Sequence, residues 1–264
     1  MQTVARVEDA EDDASRPAAG DDPRAWLGAT SLIDLGDTKL RLKSGSLTQL
    51  SKGPREKALA IYGFVKRMEL AKPMKVRFHR AREVLDAGSG DADDKATLFV
   101  ALLRLAGIPA RLRYVELRGD ILRGLTSHMT RAARPVAEVW IGRWVRTDTY
   151  IFDARYMAAA RQRLKDHGWR WGYGIYVGGA TLWNGADDAY VGGSASDSDP
   201  MALGELPPVS DPHELVALPA WKARYRRVTR AAHWNVLAPA MGRVIRELRE
   251  EAEQGIVPAA RKPS

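Results

Sequence analysis

GSGDADDKATLFVALLRLAGIPARLRYV (88–115) is the stretch that decides the fold. A glycine-rich loop leads directly into an apolar pattern of helical period, whose buried stripe is Leu98, Leu102 and Leu105. Aspartates at its start suit a helix N-terminus, because their carboxylates accept from unpaired N–H groups and complement the helix dipole. Gly-Ile-Pro at 107–109 ends the pattern. We therefore predict a helix over 93–106, followed by a strand over 111–117.

Ala92 lies where this loop meets the helix, a position well suited to a catalytic nucleophile. Unpaired N–H groups and the helix dipole stabilise a thiolate at a helix N-terminus. The residue here is alanine, and the 264-residue chain contains no cysteine. Disulfides, thiolate metal sites and thiol catalysis are therefore excluded.

The composition is that of a soluble globular protein, with 45% hydrophobic and 28% charged residues. The longest apolar run, LFVALL (98–103), is far shorter than the roughly 18 residues that a membrane helix needs. The acidic start of the chain does not resemble a secretory signal. We therefore expect a cytoplasmic protein with no membrane partner.

The net charge of +8 includes a basic run near the end of the chain. This run consists of Lys222, Arg224, Arg226, Arg227 and Arg230. It could bind an anionic surface, but no nucleic-acid motif accompanies it, and we interpret it as a solvated helix face. No nucleic-acid partner is predicted.

The remaining elements follow from periodicity and turn residues. We predict an amphipathic helix over 54–70, strands over 136–141 and 143–149, a helix over 156–165, one aromatic strand over 169–177, and a mostly helical segment over 221–253 interrupted near Pro239. These elements divide the chain into a disordered acidic tail (1–23), one domain (24–195), a linker or loop (196–214) and a helical C-terminal extension (215–264).

Three stretches resemble the transglutaminase-like superfamily, whose fold is related to that of papain-like cysteine proteases. They are REKALAIYGFVKR (55–67), the stretch 88–115 quoted above, and RPVAEVWIGRWVRTDTY (134–150). The resemblance implies an α+β fold with a helix packed on an antiparallel sheet, here carrying a helical C-terminal extension.

The resemblance also implies the positions of a Cys-His-Asp triad. The cysteine position falls on Ala92, and the histidine, four residues before Glu138, falls on Arg134. The aspartate is retained as Asp148 in Trp-Val-Arg-Thr-Asp. Alanine is not a nucleophile, and arginine stays protonated and cannot act as a general base. The triad is therefore expected to be degenerate, as in a pseudoenzyme, with no active catalytic residue.

Two interpretations of the altered site remain open. Arg134 and Asp148 are predicted to form a salt bridge between neighbouring strands. Alternatively, Arg134 and the start of the helix form an anion pocket. Its candidate residues are Asp91, Asp93, Arg134, Trp171 and Tyr173. The five histidines show no metal-ligand spacing, so no metal and no cofactor is expected.

The sequence therefore favours a non-catalytic protein that binds a peptide, a small anionic ligand or a protein partner. The alternative function is an enzyme, resembling a hydrolase or an acyl transferase, whose site works without a thiol. It stays open because the loop at 90–95 and Asp148 remain recognisable after the loss of the nucleophile.

Overall fold

A computed structural model describes residues 22–193, 199–224 and 227–256. At residues 224, 227–234 and 255–256 it describes the backbone alone. The predicted acidic tail, 1–23, falls almost entirely outside these residues and stays a prediction. Most side chains of the basic run also lie outside the described part, so its interpretation as a solvated helix face stays a prediction. Pro23–Leu27 forms a short 3-10 helix that Asp22 caps.

The helices are α1 (Thr38–Thr48), α2 (Pro54–Arg67), α3 (Ala81–Ala87), α4 (Ala92–Leu105), α5 (Ala154–Asp166), α6 (Pro212–Ala217), α7 (Pro219–Arg224) and α8 (Arg227–Ile256). The strands are β1 (Glu69–Leu70), β2 (Ser89–Gly90), β3 (Ala110–Arg118), β4 (Arg131–Trp140), β5 (Trp144–Thr147), β6 (Trp171–Gly172), β7 (Ile175–Tyr176) and β8 (Ala202–Glu205). A second 3-10 helix spans Gly119–Leu122.

The main sheet is antiparallel, with the strand order β5-β4-β3-β8. Its central pair is long, running from Ala110 opposite Val139 to Arg118 opposite Arg131. Two smaller pairs flank it, the parallel β1–β2 and the hairpin β6–β7.

Helix α4 lies at the centre of the molecule, which is why its sequence is apolar on nearly every side. Its apolar residues from Ala96 to Leu103 are fully buried. It packs on the sheet and against α1, α2 and α3. The side chains of Leu112, Tyr114, Ala137 and Val139 belong to the same hydrophobic core. The predicted fold, a helix on an antiparallel sheet with a helical C-terminal segment, is confirmed.

The aromatic stretch 169–177 is a hairpin, and the prediction of one strand was wrong. Strands β6 and β7 turn back on each other at Tyr173 and Gly174. Both residues have positive φ, 53° and 80°, a conformation that leaves the β region. Alternation of aromatic residues did not reveal this turn, because the positive φ falls on a tyrosine.

Two further expectations differ from the structure. The segment 196–214 was expected to be a linker or loop, but its residues Ala202–Glu205 form β8 on the edge of β3. Helix α8 also continues through Pro239, where an interruption was expected. Proline lacks an N–H and disfavours a helix interior, yet a helix can tolerate one when packing holds it on both sides. Ala238 and Met241 are both buried beside it.

In the part of the chain that the structure describes, every helix is too short or too polar to cross a lipid bilayer.

Candidate functional site

The three positions of the expected triad lie on three different elements. Ala92 opens α4, is half-buried and packs against the hydrophobic core. Arg134 lies on β4, and Asp148 follows the end of β5. Both charged side chains are buried, with 8% of Arg134 and 1% of Asp148 exposed.

Arg134 and Asp148 form a buried ion pair. Arg134 Nη1 lies 3.0 Å from Asp148 Oδ2, and its Nη2 donates to the carbonyl of Gly174 at 2.5 Å. The second carboxylate oxygen, Oδ1, accepts from the backbone N–H of Val191 at 2.7 Å. Burial raises the pKa of Asp148, while the Arg134 charge and these hydrogen bonds act against the rise. The pair therefore joins β4 to the loops at 148, 174 and 191.

Arg134 lies on the side of the sheet away from α4. It pairs with Val115, and successive strand residues point to opposite faces. Tyr114, the residue before Val115 on β3, points to the opposite face of the sheet. This face is the one toward α4, as shown by the hydrogen bond of 2.8 Å that the Tyr114 hydroxyl donates to Asp93 Oδ1. The guanidinium and the start of α4 are thus separated by the sheet.

A small cavity of about 20 Å³ adjoins the ion pair. Its lining residues are Val115, Leu117, Arg134, Val136, Asp148, Tyr190, Gly192 and Asp199. That volume holds about one water molecule. Arg134 also lies close to the backbone of Gly192, where an added Cβ would lie only 2.5 Å from Arg134 Nη1. The cavity is too small for a carboxylate or phosphate ligand.

The N-terminal end of α4 carries its own charge cluster. Asp91 and Asp94 cap the helix reciprocally, each carboxylate accepting from the other residue's backbone N–H at 3.2 Å. Lys75 Nζ lies 2.7 Å from Asp91 Oδ1 and 2.5 Å from Asp94 Oδ1, and Lys72 lies 3.2 Å from Asp91 Oδ2. His79 is within 3.3 Å of Asp94. Side chains of this chain therefore neutralise and cap the helix terminus.

This arrangement sets the pKa values of the aspartates in opposite directions. Burial alone would raise the pKa of Asp91, but the charges of Lys72 and Lys75 outweigh it and hold the pKa far below the usual range. Asp93 accepts a hydrogen bond from the Tyr114 hydroxyl, and the charges of Lys75 and Lys72 offset its burial only in part. Burial, with the negative charge of Asp91, raises the pKa of Asp93 to about 6.

The residues proposed for an anion pocket do not converge. Asp91 and Asp93 lie at the end of α4, whereas Arg134 lies across the sheet. Tyr150 lies between the two groups: its hydroxyl donates to the Pro135 carbonyl at 2.9 Å, and its ring packs 5.0 Å from that of Phe99. Electrostatic effects from both Asp148 and Asp93 raise its pKa, after burial, which dominates.

The side chains of Trp171 and Tyr173 are not among the described hydrogen-bond partners of the ion pair. Trp171 packs on the apolar cluster of Val115 and Tyr190, with its ring centroid 5.3 Å from that of Tyr176. The Tyr173 ring is buried against Trp169, 6.4 Å away between centroids. The hairpin contributes to the ion pair through the backbone carbonyl of Gly174 alone among its described groups.

The sequence analysis did not identify several residues around the Arg134–Asp148 ion pair and around the charge cluster at the start of α4. Lys72 and Lys75 come from a loop with no recognisable motif, Tyr114 was expected only as a position in the strand 111–117, and Tyr150 was given no role. Pairing of a lysine with an aspartate 16 residues away depends on the tertiary fold, so local patterns give no signal for it. The one available clue was the presence of three aspartates within four residues, 91–94, at a buried helix start, which requires cations nearby.

No group of three or more His, Cys, Asp or Glu side chains suited to a metal ion is found among residues 22–193, 199–224 and 227–256. Asp91 and Asp94 both contact Lys75, whose ammonium group lies where a cation shared by these carboxylates would bind.

Comparison with known proteins agrees with this fold. Residues 43–149 match the family model described as the transglutaminase-like superfamily. A solved structure of a "putative cysteine protease" from Cytophaga hutchinsonii is similar, with 20% sequence identity and a TM-score of 0.38 over 49% of this chain and 40% of that chain. No curated protein matches the sequence. The match of residues 43–149 to this family model confirms the resemblance of the sequence to the transglutaminase-like superfamily.

Proposed function

We propose that this transglutaminase-like domain is non-catalytic and serves to bind a peptide or protein partner. The observation that carries the proposal is the ion pair of Arg134 with Asp148. The positions expected for the base and the acid are joined by a 3.0 Å contact and buried, while the position expected for the nucleophile is Ala92. Acyl transfer through a thioester needs both a nucleophile and a base.

The geometry does not favour a small anionic ligand at this site. The N–H of Asp94 is already bound by the Asp91 carboxylate, and the cavity beside Arg134 has room for about one water molecule. An anion would meet three carboxylates at the start of α4. Contacts across the surface, made by a peptide or a protein, need no such pocket.

Restoring the family residues tests the proposal. Since the chain has no cysteine, the variant Ala92→Cys/Arg134→His carries a single thiol. We expect no burst of p-nitrophenolate from p-nitrophenyl acetate, because the terminus of α4 is capped and the sheet separates position 134 from it. The matched control is Leu50→Cys, a single thiol at a residue that is 89% exposed. A burst equal to the protein concentration would contradict the proposal.

One observation favours the alternative, an enzyme that works without a thiol. A carboxyl with a pKa of about 6, as at Asp93, suits a general acid or base near neutral pH. Hydrolysis of p-nitrophenyl acetate by the natural chain distinguishes the two functions. Steady hydrolysis above background that is lost in the variant Asp93→Asn would support an enzyme. We expect equal background rates for both proteins, since Asp93 faces the buried hydroxyl of Tyr114.

A further inference from the structure

Three exposed apolar side chains lie close together where α8 meets the loop that precedes α3. Met74, Val76 and Val236 are 67%, 97% and 74% exposed. Asn235 brings them together, because its side chain pairs with the backbone of Lys75: Oδ1 accepts from the N–H and Nδ2 donates to the carbonyl, both at 2.9 Å. Met74 and Val76 flank Lys75 in the chain, and Val236 follows Asn235. We call these three side chains the apolar patch.

The exposed face of α8 continues the apolar patch. Pro239 and Ala240, three and four residues after Val236, are also exposed, and residues at this spacing are neighbours on a helix surface. Scattered apolar residues are ordinary on a protein surface, whereas adjoining ones with a polar rim mark a site of interaction.

The two segments that form this surface are basic. Residues 71–80 include four lysine or arginine residues and residues 221–246 include seven, with no aspartate or glutamate in either segment. Part of this charge is neutralised within the fold, as at Lys75, but Arg243 and Arg246 on α8 are exposed. An apolar surface with a cationic rim suits an occupant that is apolar and anionic.

The acidic start of this chain has that composition. Residues 4–13, VARVEDAEDD, combine two valines with five carboxylates and a single arginine. The carboxylates all follow the second valine, so the segment has an apolar part and an anionic part. It therefore complements both the apolar patch and the arginines beside it.

The chain is long enough for this segment to reach the patch. Ser31 is linked to Phe78 through His213, whose Nδ1 lies 2.8 Å from Ser31 Oγ and whose ring centroid lies 5.5 Å from that of Phe78. The path from Asp22 to Ser31 includes the 3-10 helix and spans at most about 25 Å. From Asp22 back to Val7, the extended chain spans about 50 Å. The segment can therefore return to the loop that carries Phe78.

We propose that the acidic segment 4–13 docks on the apolar patch of its own chain. Its two valines cover the patch, and its carboxylates lie beside the exposed arginines of α8. Docking removes apolar surface from water and brings opposite charges together. The inference does not depend on the proposed function, because the occupant belongs to the chain itself.

Paramagnetic relaxation enhancement in the full chain tests the docking. Since the chain has no cysteine, Ala10→Cys carries a single nitroxide label within the acidic segment. A tethered segment has an effective concentration on the order of mM, so we expect the amide signals of residues 74–76 and 235–238 to lose about half of their intensity or more. Raising NaCl from about 0.05 M to about 1 M shortens the Debye length to about 3 Å and should restore most of that intensity.

Two variants of the labelled chain separate docking from chance encounters. In the first, the five carboxylates of residues 8–13 are replaced by the matching amides, which keeps the length and the label, and the signals should keep their intensity. In the second, Val76→Ser and Val236→Ser remove exposed side chains of the patch and should weaken the loss of intensity. The matched control for the second is Leu182→Ser, at a residue that is 66% exposed, which should leave the loss unchanged.

Equal intensities at residues 74–76 with the acidic and with the amide segment would overturn the proposal. In a mixture of labelled chains with unlabelled, isotope-enriched chains, a loss of intensity on the unlabelled chains would place the segment on a second copy and would overturn it as well. So would binding of the natural chain to vesicles of phosphatidylserine and phosphatidylcholine without any effect of the label on the patch, because the surface would then serve an anionic membrane. These measurements involve no acyl transfer, so their outcome is separate from that of the acylation assay.

Discussion

At the scale of single residues, the pKa of each aspartate at the start of α4 depends on its burial and on the groups that it contacts. Lys72 and Lys75 outweigh burial and lower the pKa of Asp91. Burial instead raises the pKa of Asp93, which contacts the Tyr114 hydroxyl, and also that of Asp94, in spite of its contact with Lys75. Three adjacent carboxylates therefore differ in their pKa values although their sequence context is nearly the same. The sequence identified the acidic run as a helix start but could not assign these differences, because the lysines arrive from a loop.

Asp93 makes the stability of the fold depend on pH. Its pKa is raised to about 6 in the folded protein, against about 3.9 in the unfolded chain. Between these values the folded state binds more protons, so the contribution of Asp93 to stability falls as the pH rises from about 4 to about 6. We expect Asp93→Asn to remove this dependence and to raise the free energy of unfolding by about 1–2 kcal/mol at pH 7.5.

Urea unfolding of both proteins at pH 4, 5, 6 and 7.5 measures the difference. Asp120→Asn is the control, because the Asp120 side chain is 67% exposed, and it should leave the profile unchanged. A variant at position 93 that is less stable than the natural chain at pH 7.5 would show that the Asp93 charge is favourable, contrary to this interpretation.

At the scale of elements, the sequence predicted α4, β3, β4 and β5 well because each carries a strong period or a clear terminator. It predicted less well where tertiary contacts override local signals. Residues distant in the chain hold the turn at Tyr173 and Gly174: Arg134 donates to the Gly174 carbonyl, and the two backbone N–H groups donate to the carbonyls of residues 123 and 121. The edge strand β8 consists of the weakly apolar residues Ala-Leu-Gly-Glu, and pairing with β3 defines it.

Arg134 links these elements, and its loss should be costly. Arg134→Met leaves the Asp148 carboxylate buried without its cation, a situation that typically costs about 3–5 kcal/mol. We therefore expect the free energy of unfolding to drop by about that amount, measured by urea denaturation at pH 7.5. The matched control is Arg118→Gln, which removes an arginine whose ion pair is exposed, and it should change stability by less than about 0.5 kcal/mol.

Asp148→Asn in the Arg134→Met background should recover part of the loss, since the second change removes the unpaired charge. Equal stability of Arg134→Met and the natural chain would mean that the ion pair does not hold the strands together.

At the scale of the whole molecule, the residues at the expected triad positions belong to two separate clusters. The ion pair of Arg134 and Asp148 lies on one side of the sheet, and the lysine-neutralised terminus of α4 lies on the other. The resemblance assigns the triad positions to Ala92, Arg134 and Asp148, an assignment that stays a prediction, and it could not place these residues relative to the sheet. The sequence analysis therefore joined Asp91, Asp93 and Arg134 in one pocket that the fold does not form.

The pKa of a thiol restored at position 92 tests this account most directly. In Ala92→Cys/Arg134→His, the rate of alkylation by iodoacetamide is followed from pH 5 to pH 10. Capping of the α4 terminus by Asp91 and the nearby carboxylates predict a thiol pKa at or above the ordinary value of about 8.5. A pKa below about 7 would contradict the account, because it would show a helix terminus and a base still arranged to activate a nucleophile.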